Sequence, residues 1–580
     1  MENKILDFLT QYFDAETLAK VNFSAVPRGQ AGDLAMNFFQ LTKILKKSPV
    51  EIAEKFREIL ANCDLLEKTE IAGPYLNLYF ANEVFYKEVF AAPLESEIFA
   101  KKNIVFEFSG PNTNKPLHLG HMRNHALGIS MANLLESCGA TVHRVNIIND
   151  RGIHICKSML AYQLWGNSET PESAGKKSDH FVGDWYVKFS REVKNNPELE
   201  KEAQEMLVKW EQGDEEVYKL WQKMSEWALN GHRETYARQG IVFEKDYKES
   251  EYYLKGKEIA EKGLADGVFE RRDDGAIVVS LPEDLKPKNA KNDKNIDTRK
   301  VVLRADGTSI YLTQDLAVAE ARKKDFNPNQ LVYVVADEQN YHFKVLFYCL
   351  EKLNLAKKEE CLHLGYGLVH LPDGRMKSRE GNVVDADNLM DDLFNLAKTE
   401  VSKRNEELSE KEKNETAEKI MDAAWKFYLL STNPRKSITF DVEKSIAFEG
   451  ATGPYLQYAG VRIKSILKKS GITDFSNIQN PAVPRKAAAK FLGEAEKNLG
   501  VKILEFSKVL EKSVLNSNPT YLVTFLMELA QDWSSFYANN SVLNADNEDL
   551  KNSRILLAQK VLQVLEKGTS ILGFGIPEVM

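Results

Sequence analysis

The spacing of apolar positions along this chain changes several times, and each change marks an element. Ile104-Val105-Phe106-Glu107-Phe108 is a β-rich run interrupted by one acid. A loop rich in Pro and Asn follows, and then a helical spacing from Met122 to Cys138. Gly139 stops that helix, and Thr141–Ile148 reads as the next strand. Strand, loop, helix, glycine, strand is a βαβ unit and predicts a parallel sheet. Strand-like runs resume at Val301–Leu303, Leu331–Val335 and Leu362–Val369. Residues from about 160 to 260 break the rhythm: they are charged, helical in period, and carry Trp165, Trp185, Trp210, Trp221 and Trp227. They read as an insertion whose tryptophans serve a core or an interface.

Outside this region the pattern is simpler. Residues 1 to about 95 read as a small mixed domain. Leu34 to Leu60 has helical spacing, with Ser48-Pro49-Val50-Glu51 as a helix start and Pro at its first position. Gly73 to Phe80 alternates like a strand after a turn. The polar stretch Lys286 to Lys300 reads as an exposed loop. From about 395 to 580 the spacing is helical, with one linker around Gly471 to Pro484.

Composition then narrows the class. A chain of 580 residues outgrows the roughly 250–300 residues of a single core, so two to four domains are expected. The 43% hydrophobic and 28% charged content is that of a globular protein and excludes disordered and fibrous classes. No run nears the roughly 18 apolar residues of a transmembrane helix. The first twenty residues hold Glu2, Asp7, Asp14 and Glu16 and no Arg, which fits neither a secretory signal nor a transit peptide. Five scattered cysteines without a CxxC argue against a disulfide framework or a Cys-rich zinc site and fit a reducing cytoplasm. A net charge of −8 excludes a wholly basic nucleic-acid coat, though not a local basic face.

The segment richest in chemistry is Pro111-Asn112-Thr113-Asn114-Lys115-Pro116-Leu117-His118-Leu119-Gly120-His121. It lies between a strand and a helix, at the carboxyl edge of the expected sheet, where open α/β folds bind ligands. A helix N-terminus there suits a phosphate. Gly120 lets a nucleotide approach the backbone closely. His118 and His121 are three apart, so both face one ligand, and Lys115 adds a point charge. The two histidines alone also suit a zinc site or a helix cap, but no third zinc ligand is evident beyond the pair His154 and Cys156, and no metal is assigned. No GxxxxGK[ST] occurs, which excludes a P-loop. Gly365-Tyr366-Gly367-Leu368-Val369-His370 is not a dinucleotide fingerprint and reads as a strand lining an adenine pocket.

His118-Leu119-Gly120-His121 resembles the HIGH signature of class I aminoacyl-tRNA synthetases. Together with Glu107 to Asn112 before it and Asn149-Asp150-Arg151-Gly152 after it, the stretch is similar to the arginyl members of that class. Arg375-Met376-Lys377-Ser378-Arg379-Glu380-Gly381 stands where the second signature, KMSKS, is expected. It departs from the pattern, with Arg375 for the first Lys and Ser378 for the second. Many arginyl enzymes carry a lysine just before HIGH instead, and Lys115 matches it. Phe448 to Ala459 and the ending Leu572 to Met580 also resemble this family, so the likeness spans nearly the whole chain.

The resemblance implies a Rossmann-type parallel-sheet catalytic domain with a helical insertion, a small α+β N-terminal domain and an all-α anticodon-binding domain. The expected boundaries are 1–98, 99–395 (insertion about 160–260) and 396–580. It implies a ligase that uses ATP, with Mg²⁺, to join L-arginine to its tRNA, acting as a cytoplasmic monomer that touches no membrane. The implied catalytic residues are Lys115, His118 and His121. The implied ATP site is Lys115, His118, Gly120, His121, Met376, Lys377 and Ser378. Around the guanidinium it places Glu107, Tyr311 and Asp315, and Tyr311 and Asp315 share one helix face by spacing. Asn112, His118 and Gln339 are implied at the α-amino and carboxylate end. For tRNA it points to Tyr455, Tyr458, Arg462, Tyr537 and Met580, and in the N-terminal domain to Asn77, Phe80 and Asn82. The first three fall at i, i+3 and i+7, a stacking face for splayed bases. A small-molecule nucleotidyl transferase sharing HxGH and a non-catalytic RNA-binding relative are competing classes; a synthetase for a different amino acid is the closest competitor, and the Glu107/Asp315 pair speaks against it.

Overall fold

The computed structural model describes residues 1–24, 26, 32–286, 298–372, 384–472 and 493–580. These fall into two compact units. One joins Glu95–Gln457, Leu510–Thr524 and Thr569–Met580; the other joins Met1–Leu94, Tyr458–Val509 and Phe525–Gly568.

The first unit is built on a five-stranded sheet, all parallel. Its spatial order is Cys361–Tyr366, Gln330–Ala336, Asn103–Glu107, Thr141–Ile148, Lys245–Lys248. Chain order thus reverses between Asn103–Glu107 and Gln330–Ala336. That is the switch point of a doubly wound sheet, where the loops after the strands leave in opposite directions and open a crevice. Val105, Val145, Leu331 and Tyr333 pack one sheet face against Leu316, Ala317, Leu346 and Leu350. The helix Leu119–Ser137 is buried on nearly all sides. Even Arg123 is enclosed, and its guanidinium donates to the carbonyls of Leu429, Pro434 and Lys436. Burial lowers its pKa to about 10, still high enough to keep the charge.

Two sequence expectations change here. Val301–Leu303 forms a strand, Arg299–Leu303, but it joins a separate antiparallel sheet with Ile277–Ser280 and Glu270–Arg271. Lys245–Lys248, inside the stretch read as insertion, is instead the edge strand of the main sheet. Its sequence Lys-Asp-Tyr-Lys hides it, because an edge strand needs only its inward residue apolar and Tyr247 alone is buried. The remaining insertion is helical, with Ile153–Trp165, Ser178–Glu192, Glu198–Glu211 and Glu215–Gln239 around one apolar cluster. Trp185, Trp210 and Trp221 are buried in that cluster and Trp165 and Trp227 pack on its rim, as a core role predicts.

In the second unit the antiparallel order is Asn22–Ser24, Leu34–Asn37, Tyr75–Phe80, Leu66–Ala72. Leu34–Asn37 is therefore a strand, not the start of a helix; the helical spacing is real only from Thr42 onward. Pro49–Leu60 starts where read, and the structure adds that Ser48 and Glu51 cap it reciprocally. The helices Glu494–Leu515, Thr520–Asn539 and Glu548–Ile571 account for most of the helical C-terminal spacing. Of the predicted exposed loop, 287–297 lies outside the described residues, as does 473–492, which holds most of the predicted linker.

Candidate active site

At the carboxyl ends of the central strands lies a cavity of about 680 Å³. One wall begins where the strand Asn103–Glu107 stops. Ser109 and Gly110 turn left-handed, at φ +81° and +67°. The chain then runs beside the next βα loop: Asn149 N–H donates to the Pro111 carbonyl at 3.0 Å and Thr113 N–H to the Asn149 carbonyl at 3.1 Å. This carries Asn112, Lys115 and His118 along the cavity wall, and all three line it.

His118 is the N-cap of Leu119–Ser137. Its Nδ1 accepts from Gly120 N–H at 3.1 Å, while His121 Nδ1 accepts from His118 N–H at 3.1 Å. The rings lie 4.0 Å apart, centroid to centroid. A side chain at residue 120 would place its Cβ 2.8 Å from the His118 ring, so glycine is required by the cap itself. Burial, and then Lys115, push the His118 pKa down to about 3. Burial and His118 hold His121 far below its ordinary value. Both rings are neutral at pH 7. Since each Nδ1 accepts, each Nε2 carries the proton and is a donor. This end of the cavity therefore offers two neutral donors and an ammonium at the positive end of a helix, a set suited to phosphate oxygens.

The opposite end is acidic. Tyr311 opens the helix Tyr311–Phe326 at the mouth, and Asp315 follows one turn later; both line the cavity. Asp315 accepts from His342 Nε2 at 2.6 Å. Glu107 also lines the wall, but its carboxylate is already bound to the guanidinium of Arg322. Arg322 is 1% exposed and lies over the rings of Tyr247 and Tyr333. Arg322 sits two turns beyond Asp315 on the same helix and reaches the strand end where Glu107 stands. Burial alone would lower the pKa of Arg322, but Glu107 raises it; burial in turn raises the Glu107 pKa, against the pull of Arg322.

Sequence reading missed Glu249, the first residue of Glu249–Ala265. It is 3% exposed and lines the same cavity. In its favoured amide orientation Gln314 donates to Glu249 at 2.9 Å and accepts from Arg151 at 2.9 Å. Burial, then Asp315 and Asp150, raise the Glu249 pKa to about 8. The signal that could have found it is an acid directly after a strand at the sheet's carboxyl edge, masked because the strand itself was unread. Gln339 stands exposed at the rim, just after Gln330–Ala336.

A cavity with phosphate donors at one end and carboxylates at the other has a counterpart in known sequences. Residues 90–442 match the model of the class I tRNA synthetase catalytic domain for arginine, "tRNA synthetases class I (R)". The chain belongs to the arginyl-tRNA synthetase family. Residues 1–80 match that family's N-terminal domain and 456–580 the DALR anticodon binding domain. An arginine–tRNA ligase of Treponema denticola is 43% identical over 573 residues, spanning 97% of this chain and 95% of the relative. That of Parabacteroides distasonis is 37% identical, covering 97% and 96%. Among solved structures, the arginyl-tRNA synthetase of Thermus thermophilus has the same fold, with a TM-score of 0.81 at 24% identity over 100% of this chain and 99% of that one. The Plasmodium falciparum enzyme matches at a TM-score of 0.75 and 20% identity, covering 100% and 97%.

For a family member the remaining predicted residues fall in instructive places. Arg462 is exposed, with its guanidinium 5.6 Å from the Tyr458 ring centre and 5.3 Å from that of Tyr537. Tyr537 is in turn stacked on Trp533. These form an aromatic and cationic surface within one unit; Tyr455, on the same helix as Tyr458, belongs to the other unit. Met580 is half-buried against Ala397, Val401, Ala417 and Ile420. Asn77 and Phe80 are each 2% exposed inside the small sheet, which corrects their reading as surface contacts: a buried ring has no face to offer a base. Asn82 is half-buried. Met376, Lys377 and Ser378 lie outside the described residues.

Proposed function

We propose that this chain attaches L-arginine to its tRNA in two steps inside the cavity described above. The arginine carboxylate attacks the α-phosphorus of ATP, the α–β phosphoanhydride bond breaks, and pyrophosphate leaves. A ribose hydroxyl of the terminal adenosine of tRNA then attacks the carbonyl carbon of arginyl-adenylate, AMP leaves, and the hydroxyl gives up its proton. The observation that carries this reading is the two-ended cavity: neutral histidine donors and Lys115 at one end, Asp315 and Glu249 at the other.

The roles follow from the chemistry of each group. Lys115 and the Nε2–H groups of His118 and His121 stabilise charge on the phosphates as it develops, with Gly120 keeping the cap closed. Asp315, Tyr311 and the newly identified Glu249 meet the guanidinium; Glu107 acts from behind, through its pair with Arg322. Asn112, His118 and Gln339 hold the amino and carboxylate groups, which places the reacting carboxylate beside the α-phosphate. Met376, Lys377 and Ser378 are assigned to the nucleotide from the signature alone. The nucleotide end presents nitrogen donors rather than carboxylates, so no protein cage for Mg²⁺ is assigned; Mg²⁺ arrives on ATP. Among the described residues, one group, Asp179, His180 and Asp387, has the reach of a metal site, but Lys177 Nζ already occupies it, 2.7 Å from Asp387.

Tyr455, Tyr458, Arg462 and Tyr537 stack and pair with anticodon-region bases, while Met580 and Asn82 support the tRNA surface and the N-terminal residues 1–98 extend it. The chain works as a cytoplasmic monomer. Among the described residues no helix is long and apolar enough to cross a membrane.

The test is ATP–pyrophosphate exchange with each of the twenty amino acids, with and without total tRNA. Exchange with arginine alone, and only when tRNA is present, is expected. Exchange with another amino acid overturns the assignment of the acidic end. Exchange that needs no amino acid favours a small-molecule nucleotidyl transferase.

A further inference from the structure

The geometry points to Asn124 as the residue that sets the width of the nucleotide crevice: its side-chain amide bridges the two central strands where their ladder ends, making it a positioning residue for ATP. This rests on the reading of the cavity as an ATP site.

The parallel ladder between Asn103–Glu107 and Gln330–Ala336 has its last register pair at Glu107 and Tyr333. One residue further on, the strands diverge at the switch point, and backbone groups that a ladder would have paired face each other across a gap. Asn124, 3% exposed on the helix Leu119–Ser137, fills that gap. Its Oδ1 accepts from Ser109 N–H at 2.6 Å. Its Nδ2 donates to the Val334 carbonyl at 2.7 Å and to the Tyr366 hydroxyl at 3.2 Å. A carboxamide has the same donor and acceptor as a peptide group, so the side chain acts as one extra rung of the sheet, laid between strands that no longer reach each other. The bridge also extends to the next strand through Tyr366. Asn124, Ser109, Val334 and Tyr366 all line the cavity.

The rung fixes more than a distance. Ser109 is a non-glycine residue at φ +81°, a conformation that persists only when its surroundings over-determine it. Asn124 holds its N–H. Its hydroxyl lies 2.8 Å from His125 Nε2 and 2.7 Å from the Tyr236 hydroxyl, and His125 Nδ1 lies 2.6 Å from Gln239 Oε1. Ser109 starts the loop that delivers Asn112, Lys115 and His118, so loosening it moves the phosphate donors as a set. Asp315 and Glu249 rest on other helices and do not share this support, whereas Glu107, Asn112 and His118 do.

The discriminating measurement is calorimetric titration of ATP and of arginine, separately, into wild type and Asn124→Ala. Loss of two or three buried hydrogen bonds is expected to weaken ATP about tenfold and arginine, which keeps Asp315 and Glu249, about threefold or less. Equal weakening of both, or a lower melting temperature with both affinities intact, overturns the inference. Should Asn124→Ala fail to fold, Tyr366→Phe removes only the hydroxyl arm and is expected to weaken ATP about threefold and arginine less than that; an unchanged ATP affinity overturns the inference. A wild-type chain that binds no ATP refutes the ATP reading itself, whereas wild-type binding with an indifferent Asn124→Ala refutes the rung alone.

Discussion

The two ends of the cavity are built on opposite electrostatic plans. At the nucleotide end, every buried ring is neutral, and the two histidines already hydrogen-bond the backbone of their own helix start. At the acidic end three carboxylates converge, and the chain has answered two of them with its own donors: the Arg322 guanidinium for Glu107 and the His342 ring for Asp315. Glu249 receives only an amide and stays protonated near neutrality, its pKa raised by burial to about 8. The first end is finished before a ligand arrives and gains by avoiding reorganisation. The second carries one acid whose ionisation awaits a cation, and on the proposed reading selectivity follows, because a substrate lacking a guanidinium leaves that acid unanswered.

This contrast is open to direct attack. The largest effect is expected on stability at the acidic end: Arg322→Met strands the Glu107 carboxylate in the interior, at a cost of about 3–5 kcal/mol in urea denaturation. Most of it should return in the double variant with Glu107→Gln, and a single variant as stable as wild type would show that the pair is not structural. At the other end Lys115→Ala should leave folding intact and remove about 2–4 kcal/mol of transition-state stabilisation in pyrophosphate exchange. Near-normal exchange would move the phosphate charge to another residue.

Glu249→Gln comes next, raising the KM for arginine about tenfold to a hundredfold while sparing that for ATP. The pH dependence gives the sign. A guanidinium favours ionised Glu249, and in the empty cavity that group loses its proton only near pH 8, so wild-type affinity for arginine should rise between about pH 6.5 and 8.5. The Gln variant should show a flat profile there; an identical slope would assign the titration to another group. The smallest effect is expected far from both ends. Arg462→Ala removes a cation held near two tyrosines and should raise the KM for tRNA about two- to tenfold without changing that for arginine.

How much of this was legible in the sequence depended on whether the controlling interaction is local. The switch from strand to helix around residues 103–137, the helix start at Ser48 and the shared face of Tyr311 and Asp315 are set within a few residues, and each was readable. The histidine pair was readable as a site, though its reciprocal capping was only one of three options. Glu107 is legible as a cavity acid but its pairing with Arg322 is not, because the partner lies more than two hundred residues away and no spacing rule links them. Glu249 was lost with its strand, since an edge strand of polar residues gives no apolar run. Leu34–Asn37 was misread because four residues beside a true helix fit either period. Phe80 and Asn77 show the same limit from the other side: alternation identifies a strand, but not which of its residues face the interior.

The reciprocal cap of His118 and His121 bears on how such sequences are scanned for lost enzymes. Each half of the motif satisfies backbone groups at the helix start, and Gly120 is there to admit a ring. A descendant that had abandoned catalysis would still be under pressure to retain HxGH simply to begin that helix. Survival of the motif is thus a poor witness to activity. Lys115 takes no part in the cap, so drift at that single position would mark a pseudoenzyme earlier than the motif that names the class.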